Sequence, residues 1–349
     1  MPCVAHSLRD FLSSRKKTLY FTHQVCSVAL DGNSNLIFKR RHNGTDERVS
    51  LDRVRRVVVV GRIGEISSSV LYKLMSKHIP VDFMDVHGKS AGQLMYESDQ
   101  ADQCWMLQHE RATPALALAM ARELITAKID NCREVIRRIA PQPGHWDYYR
   151  SMAFNAADLA SLRGIEGSCA REYFQSWKNL TGAFQWNGRM KHPSPDPVNS
   201  MLSFGYTLLY SRIAGALRAC GLNPRLGFFH EIRGTHCALA SDLMEQFRPL
   251  VDRAVLATVR NRVLTPDDFA CRGMHCSTSN PRAFAILLNI FEEMFEQART
   301  FYVLTPSGQW AKEEASPDDL FDDLAQNYAS RLGGAGSSIT WRLRPCSVI

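Results

Sequence analysis

The apolar residues follow two different spacings along the chain. In the first ninety residues they form short runs separated by polar or glycine-containing segments, at 19–22, 25–30, 36–38, 54–60 and 79–84. Short apolar runs bounded by turn residues are typical of β-strands, and the Asp-Gly-Asn segment at 31–33 favours a hairpin turn. Residues 66–77 instead carry apolar residues at helical intervals. This region predicts a β-rich unit that contains one helix.

Beyond residue 104 the apolar residues recur every three or four positions, which indicates amphipathic helices. The predicted helical stretches are 106–139, 153–177, 198–220, 239–263 and 281–302. The segment 191–197 predicts a stiff extended loop, because each of its prolines disfavours helix in the residue before it. After residue 303 the chain is acidic and then rich in Gly and Ser, a composition that predicts a mobile tail.

These patterns predict an α+β fold with a small N-terminal β-rich domain and a larger all-α domain. We place the β-rich domain at 1–92, a linker at 93–103, the α-helical domain at 104–303 and the acidic tail at 304–349. A chain of 349 residues with 45% hydrophobic and 22% charged residues has a globular composition, which excludes extensive disorder and fibrous repeats.

The net charge of +7 comes from the first quarter of the chain. Residues 1–92 hold 15 Lys or Arg against 8 Asp or Glu, whereas residues 93–349 hold 27 of each. The basic residues cluster at 15–17, 39–41 and 53–56. Such clusters indicate a polyanionic partner such as nucleic acid, although a solvated basic face explains the charge equally well.

The sequence also favours a soluble protein of the cytoplasm. No apolar run approaches the ~18 residues needed to cross a bilayer, and the first twenty residues carry charges in place of a signal-peptide apolar segment. The ten cysteines contain no C-x-x-C pair, and Cys271 and Cys276 are the closest two in sequence. We therefore expect reduced thiols without a structural zinc site.

A few polar residues of the helical domain stand in apolar or glycine-rich surroundings. Glu166 lies between Gly164 and Gly167, which leave room for a ligand or for close backbone packing, and His230 ends a Gly-Phe-Phe run. Asp242 and Glu245 share one side of a helix, outside its apolar stripe. Carboxylates and a neutral imidazole suit a divalent cation. The spacing leaves open whether these residues form one site or are solvated surface groups.

A longer series of sequence words, in order over about residues 19–300, resembles the CRISPR-associated integrase, the large subunit of the spacer-acquisition complex. The words lie at 57–67, 79–83, 121–128, 162–167, 196–206, 221–230, 242–249 and 264–269. The resemblance implies a magnesium or manganese ion held by Glu166, His230 and Glu245, which are then the catalytic residues. It gives Asp242 a supporting role, either behind a ligand or at a second metal ion. His236 is a rival for His230, but it lacks the preceding Gly-Phe word.

The resemblance further implies the function and the partners. The chain would be a metal-dependent DNA endonuclease and integrase that inserts short double-stranded fragments into a CRISPR array, by 3′-hydroxyl attack at the repeat boundary. Tyr206 and Arg248 would contact DNA, although a core tyrosine and a salt-bridged arginine explain them as well. The family forms homodimers through the β domain, and two such dimers are bridged by a dimer of a small ferredoxin-like subunit to give a heterohexamer. No membrane partner is expected.

Three alternatives stay open at this stage. The first is an integrase of a mobile element that works without a CRISPR partner. The second is a DNA-binding scaffold with an idle catalytic site, against which the intact Glu166, His230 and Glu245 argue. The third is a metal-dependent phosphohydrolase of small substrates. The basic N-terminal region and the lack of a phosphate-binding glycine loop disfavour it.

Overall fold

The computed structural model combines strands and helices, which confirms the α+β class. It forms two compact units, residues 1–97 and 98–349. The described residues are 16–22, 25–40, 46–85, 90–96, 101–139, 144–178, 180–184, 186–190, 194–231, 233–234, 236–273, 275–305, 309–334 and 338–344.

The N-terminal unit contains two four-stranded sheets. The strands are β1 (Lys17–Phe21), β2 (Val25–Asp31), β3 (Asn35–Arg40), β4 (Asp46–Ser50), β5 (Val54–Val60), β6 (Glu65–Ile66), β7 (Val81–Met84) and β8 (Ser90–Leu94). One sheet has the order β1-β5-β7-β8, with the first three strands parallel, and the other has the order β4-β3-β2-β6. A helix, α1 (Ser68–Ser76), begins after Ser67, whose side chain accepts a hydrogen bond from the Val70 nitrogen. Val25, Leu36, Val57 and Val81 are fully buried in the core of this unit.

Strands β4 and β8 were not predicted, because apolar runs are missing from them. Their sequences, Asp-Glu-Arg-Val-Ser and Ser-Ala-Gly-Gln-Leu, are mostly polar or small. Both lie at the edge of a sheet, where only one side of the strand is paired and a polar sequence is tolerated.

The second unit is built mainly from helices. They are α2 (Ala101–Arg111), α3 (Pro114–Ile139), α4 (Trp146–Phe154), α5 (Leu159–Gln175), α6 (Pro197–Ala219), α7 (Ala238–Met244), α8 (Arg248–Arg260), α9 (Pro281–Glu296) and α10 (Pro317–Leu332). Helix α6 is buried along most of its length and packs against α7, α8 and α10. Helix α3 packs against α4, α5 and α8. Asp158 and Asp196 cap α5 and α6 by accepting hydrogen bonds from backbone nitrogens of their first turns.

The second unit is not all-α, which corrects the prediction. A hairpin is formed by β9 (Phe269–Arg272) and β10 (His275–Thr278), and a sheet with the order β12-β11-β13 is formed by β11 (Arg299–Leu304), β12 (Trp310–Ala315) and β13 (Trp341–Arg342). The predicted helix 281–302 ends at Glu296, and the next residue, Gln297, is extended. Residues 300–303 are β-branched or aromatic and favour a strand.

The described part of the acidic segment after residue 303 is folded, which corrects the expectation of a mobile tail there. For 306–308, 335–337 and 345–349 that expectation lies outside the described residues. Helix α10 buries Leu320, Phe321, Leu324 and Tyr328, and Phe321 packs against Phe247. Apolar residues recur at helical spacing between the acids and form one buried face of the helix. The acidic composition of the segment alone does not indicate this face. The predicted linker 93–103 is also shorter, because β8 reaches Leu94 and α2 begins at Ala101.

Cys271 and Cys276 form a disulfide across the β9–β10 hairpin, where reduced thiols were expected. The two residues face each other as a register pair of antiparallel strands, a proximity that sequence spacing did not reveal. Cys26, Cys104, Cys132, Cys169, Cys220 and Cys237 are free thiols. Within the described ranges, no helix has both the length and the apolar character needed to span a membrane.

Candidate metal centre

Helix α5 carries Glu166 on an open face. The Glu166 side chain is 25% exposed. A Cβ atom added at Gly164 or Gly167 would meet no atom within 4 Å outside the helix's own backbone. Of the two roles open to these glycines, close packing is therefore excluded, and space beside Glu166 remains.

His230 is held by Asp242 of α7, which is fully buried. The Asp242 carboxylate accepts hydrogen bonds from the backbone nitrogens of Phe228, Phe229 and His230, at 2.6, 2.9 and 2.8 Å. One of its oxygens also lies 2.7 Å from Nδ1 of His230. A proton at Nδ1 that is donated to this carboxylate leaves Nε2 of the imidazole free to bind a cation. Both oxygens of Asp242 are thus directed at the His230 loop, in agreement with a supporting role.

Gly227 makes this arrangement possible. A Cβ atom at this position would lie 2.8 Å from Asp242 Oδ2 and 2.7 Å from the Cβ of Ala238. The loop can therefore approach the carboxylate only with glycine here. The glycine belongs to the Gly-Phe-Phe-His word that singled out His230 in the sequence.

Glu245 follows α7 directly, in a short 3₁₀ turn that leads into α8. Its side chain is buried, and its Oε1 atom lies 3.9 Å from Nε2 of His230 and 2.9 Å from Nε of Arg248. Its other oxygen lies 2.5 Å from Nζ of Lys128. Burial would raise the pKa of Glu245, but Arg248, Lys128 and His230 outweigh this effect and lower it to about 2.

Lys128 of α3 joins the two glutamates. Its ammonium group donates hydrogen bonds to Oε1 of Glu166 and Oε2 of Glu245. Burial favours the neutral amine, but the two carboxylates outweigh it and raise the pKa of Lys128 above its ordinary value. Sequence reasoning gave Lys128 no role. The available signal was a lysine between two apolar residues, Ala127 and Ile129, both of which are buried.

The three predicted ligands therefore lie in one region around Glu245: one of its oxygens shares the Lys128 ammonium with Glu166, and the other faces Nε2 of His230. In the described part of the chain, no three His, Cys, Asp or Glu side chains already form a metal-binding cluster, and the ammonium of Lys128 lies between the two glutamates. The donor set of two carboxylates and one imidazole nitrogen suits magnesium or manganese. Its chemistry fits the predicted ion, provided that the ammonium moves aside.

The rival histidine, His236, is engaged elsewhere. Its Nε2 atom lies 2.9 Å from Oγ of Ser241, and its ring stacks on Tyr210 at 5.6 Å between centroids. Burial, with a smaller contribution from His230, lowers the pKa of His236. The geometry thus favours His230 over His236 as the imidazole of the centre.

Tyr206 and Arg248 are the predicted DNA contacts. Both lie inside the protein beside Glu245, which Arg248 contacts directly. The Tyr206 hydroxyl donates to Oδ1 of Asp252, and Tyr173 donates to Oδ2 at 3.0 Å. The Arg248 guanidinium lies 4.7 Å from the centroid of the Tyr206 ring. Burial raises the pKa of Asp252 to about 6 despite the two donors. Both predicted residues make contacts inside the protein, and their contact with DNA stays a prediction.

Arg163, which the sequence analysis did not single out, connects the helix of Glu166 to the loop of His230. Its Nε and Nη2 atoms donate to the backbone oxygen of Phe229 at 3.1 and 2.6 Å. The residue is exposed on the same helix as Gly164 and Gly167. It therefore fixes two ligand-bearing segments relative to each other.

Comparison with known proteins identifies the family to which this chain belongs. The profile of the family described as "CRISPR associated protein Cas1" matches residues 19–293. The chain is 35% identical over 246 residues to "CRISPR-associated endonuclease Cas1 1" of Thermus thermophilus, covering 69% of this chain and 75% of the relative. The chain belongs to the Cas1 family of CRISPR-associated proteins.

Two solved structures share the fold at lower identity. A "Casposase bound to integration product" superposes with a TM-score of 0.78 and 19% identity, covering 93% of this chain and 92% of the other. A "Cas6-RT-Cas1–Cas2 complex" has a chain that superposes with a TM-score of 0.74 and 22% identity. That match covers 95% of this chain and 37% of the longer one.

Proposed function

We propose that this chain is a metal-dependent DNA endonuclease and integrase of CRISPR adaptation, which inserts short DNA fragments into a repeat array. The observation that carries the proposal is that Glu166 and Glu245, from separate segments, share the Lys128 ammonium, while Nε2 of His230 lies 3.9 Å from the other oxygen of Glu245. Membership of the Cas1 family and the endonuclease name of the Thermus relative agree with it.

The proposed reaction is attack of a DNA 3′-hydroxyl on a phosphodiester at the repeat boundary, which releases another 3′-hydroxyl as the leaving group. Water in place of the attacking hydroxyl gives cleavage. Magnesium or manganese held by Glu166, His230 and Glu245 would stabilise the negative charge that develops on the phosphate oxygens. Asp242 orients the imidazole, and Arg248 holds the Glu245 carboxylate in place.

The open face of α5 is the proposed approach for the DNA strand. Gly164 and Gly167 place backbone without side chains next to Glu166, and Arg163 adds a positive charge on the same face. A phosphate group could therefore come close to the carboxylate ligand without meeting a side chain.

The basic N-terminal unit would supply further phosphate contacts, although not through every basic residue. Arg56, in the cluster 53–56, is buried and pairs with Asp82 at 3.3 Å. Lys39, Arg48 and Lys77 each pair with an aspartate on the surface. The clusters at 15–17 and 39–41 lie partly outside the described residues. The DNA affinity of this unit should fall steeply with salt concentration.

The proposed assembly is a homodimer that joins a small ferredoxin-like subunit in a heterohexamer. It rests on the family resemblance, and a structural neighbour is a complex that contains Cas2. Sedimentation of this chain alone and with the small subunit, at several concentrations, tests both steps.

A joining assay tests the function. A labelled duplex with 3′-hydroxyl ends is incubated with a supercoiled repeat-containing plasmid, in magnesium, manganese or chelator, with and without the small subunit. We expect joined product with either metal, and loss of product in chelator and in Glu166→Gln. Glu172→Gln is the matched control, because Glu172 lies on the same helix but contacts His145.

The same assay separates the open alternatives. Joining into any plasmid, without the small subunit, would favour the mobile-element integrase. DNA binding without nicking or joining in either metal would favour the idle scaffold. Hydrolysis of small phosphoesters without action on DNA would favour the phosphohydrolase.

A further inference from the structure

We propose that Lys128 is a built-in counter-ion of the metal centre, which a divalent cation must displace from between Glu166 and Glu245. Lys128 would therefore set the metal affinity of the centre. The inference rests on the proposed function, because it concerns the same two carboxylates. It adds a residue and a competition that the predicted ligand set does not contain.

The first support is the geometry of the ammonium group. Its Nζ atom donates to an oxygen of each glutamate, and the Lys128 side chain is only 12% exposed. The two carboxylate oxygens thus approach the same cationic centre from different helical segments. A metal ion bound to these oxygens would need the space that the ammonium now fills.

The second support is the charge of the cluster. Among the described side chains of the centre, Glu166, Asp242 and Glu245 are acidic. Lys128 and Arg248 are basic, and both contact Glu245. The cluster is thus negative overall with a neutral His230. A divalent ion that moves Lys128 aside without expelling it makes the cluster positive, which favours the approach of a phosphate group.

The third support is that Arg248 remains when Lys128 moves. Arg248 contacts Oε1 of Glu245, whereas Lys128 contacts Oε2. Displacement of the ammonium therefore leaves the Glu245 carboxylate paired and oriented. The Glu166 side chain is 25% exposed and can adjust when the ammonium moves.

The test measures manganese binding by calorimetry in chelator-stripped full-length protein, for wild type, Lys128→Met and Lys128→Arg. Methionine keeps the length and apolar stem of lysine but removes the charge. Without the competing ammonium, Lys128→Met should bind Mn²⁺ roughly tenfold to a hundredfold more tightly than wild type. Its melting temperature should be lower in chelator and should rise more on addition of Mn²⁺. A lysine with only a structural role would not tighten metal binding.

Lys128→Met could fail to fold because the Glu166 and Glu245 carboxylates lose the ammonium that joins them, so a second measurement uses the wild type. The ¹⁵N-lysine ammonium signal of Lys128, assigned by its loss in Lys128→Arg, should shift on titration with Mg²⁺ and not with K⁺ at equal ionic strength. An unchanged signal during saturable Mg²⁺ binding would overturn the proposal.

The outcomes separate this inference from the proposed function. Equal Mn²⁺ affinity in wild type and Lys128→Met, with binding abolished by Glu166→Gln in both, would overturn the role of Lys128 and keep the metal centre. Absence of Mn²⁺ binding in wild type and Lys128→Met alike would overturn both. Tighter binding in Lys128→Met that Glu166→Gln abolishes would support both.

Discussion

The Asp242 carboxylate binds His230 twice, at its backbone nitrogen and at Nδ1 of its imidazole. The same carboxylate also holds the two preceding backbone nitrogens, so that the conformation of the loop and the orientation of the ring depend on one buried side chain. The Nε2 atom is consequently directed toward Glu245. Asp242 therefore supports the metal centre by orienting His230, although its own oxygens are directed at the His230 loop.

Asp242→Ala should therefore mainly reduce the stability of the protein, whereas His230→Ala should mainly reduce its joining activity. Asp242→Ala leaves three backbone N–H groups without an acceptor, at roughly 1–3 kcal/mol for each buried one, and should destabilise the protein by more than 3 kcal/mol. His230→Ala should leave the melting temperature nearly unchanged but reduce joining at least tenfold to a hundredfold. Thermal unfolding and the joining assay measure the two effects. Equal melting temperatures for Asp242→Ala and wild type would contradict this account.

The glycines beside Glu166 should tolerate a small side chain structurally. Gly164→Ala should raise the free energy of unfolding by up to ~1 kcal/mol, because alanine favours helix and its Cβ meets nothing. Gly164→Leu should remain folded but lose joining, if DNA approaches across this face.

Gly205→Ala of α6 is the contrasting control. Its Cβ would lie 2.6 Å from Cγ1 of Val251 and 2.7 Å from the Phe291 ring, so we expect a loss of about 1–3 kcal/mol. Denaturant unfolding of the three variants measures the difference. Wild-type joining by a folded Gly164→Leu would show that DNA takes another path.

Asp252 should give the protein a measurable pH dependence of stability. Its pKa is about 6 in the folded protein and 3.8 as an ordinary value, so the folded state retains the proton that the unfolded chain releases between these pH values. The contribution of Asp252 to stability therefore falls as pH rises from about 4 to 6, by about 3 kcal/mol, and is constant above that.

Asp252→Asn removes this titration and isolates it from all other groups. The free energy of unfolding of Asp252→Asn minus that of wild type, from urea denaturation, should increase between pH 4.5 and 6.5 and then level off. A difference that does not change with pH, or that decreases, would contradict the raised pKa.

Helix α10 should be required for the stability of the helical unit. Phe321→Ala removes a buried ring that packs against Phe247 and Phe295, and should cost about 3–5 kcal/mol. Gln326→Ala, on the exposed side of the same helix, should cost less than 0.5 kcal/mol. Similar melting temperatures for the two variants would contradict the packed position of the segment.

The sequence predicted those features that short-range patterns encode. Helix α6, expected at 198–220, is observed at Pro197–Ala219, because an Asp-Pro start and an apolar periodicity mark it. Strands β4 and β8 and helix α10 were missed, because their burial depends on neighbours that local composition does not reveal. Glu166, His230 and Glu245 came from a word-by-word resemblance, not from spacing. The role of Lys128 was not predicted, because it depends on two glutamates that lie 38 and 117 residues away in the chain.

The most direct test of the central claim is to locate the ion. Crystals of the protein grown with Mn²⁺ would be measured at a wavelength where manganese scatters anomalously. The account predicts a peak bonded to oxygens of Glu166 and Glu245 and to Nε2 of His230, with the Lys128 ammonium displaced from between the glutamates. A protein that joins DNA in Mn²⁺ but has no peak at these residues, or has its peak elsewhere, would contradict it.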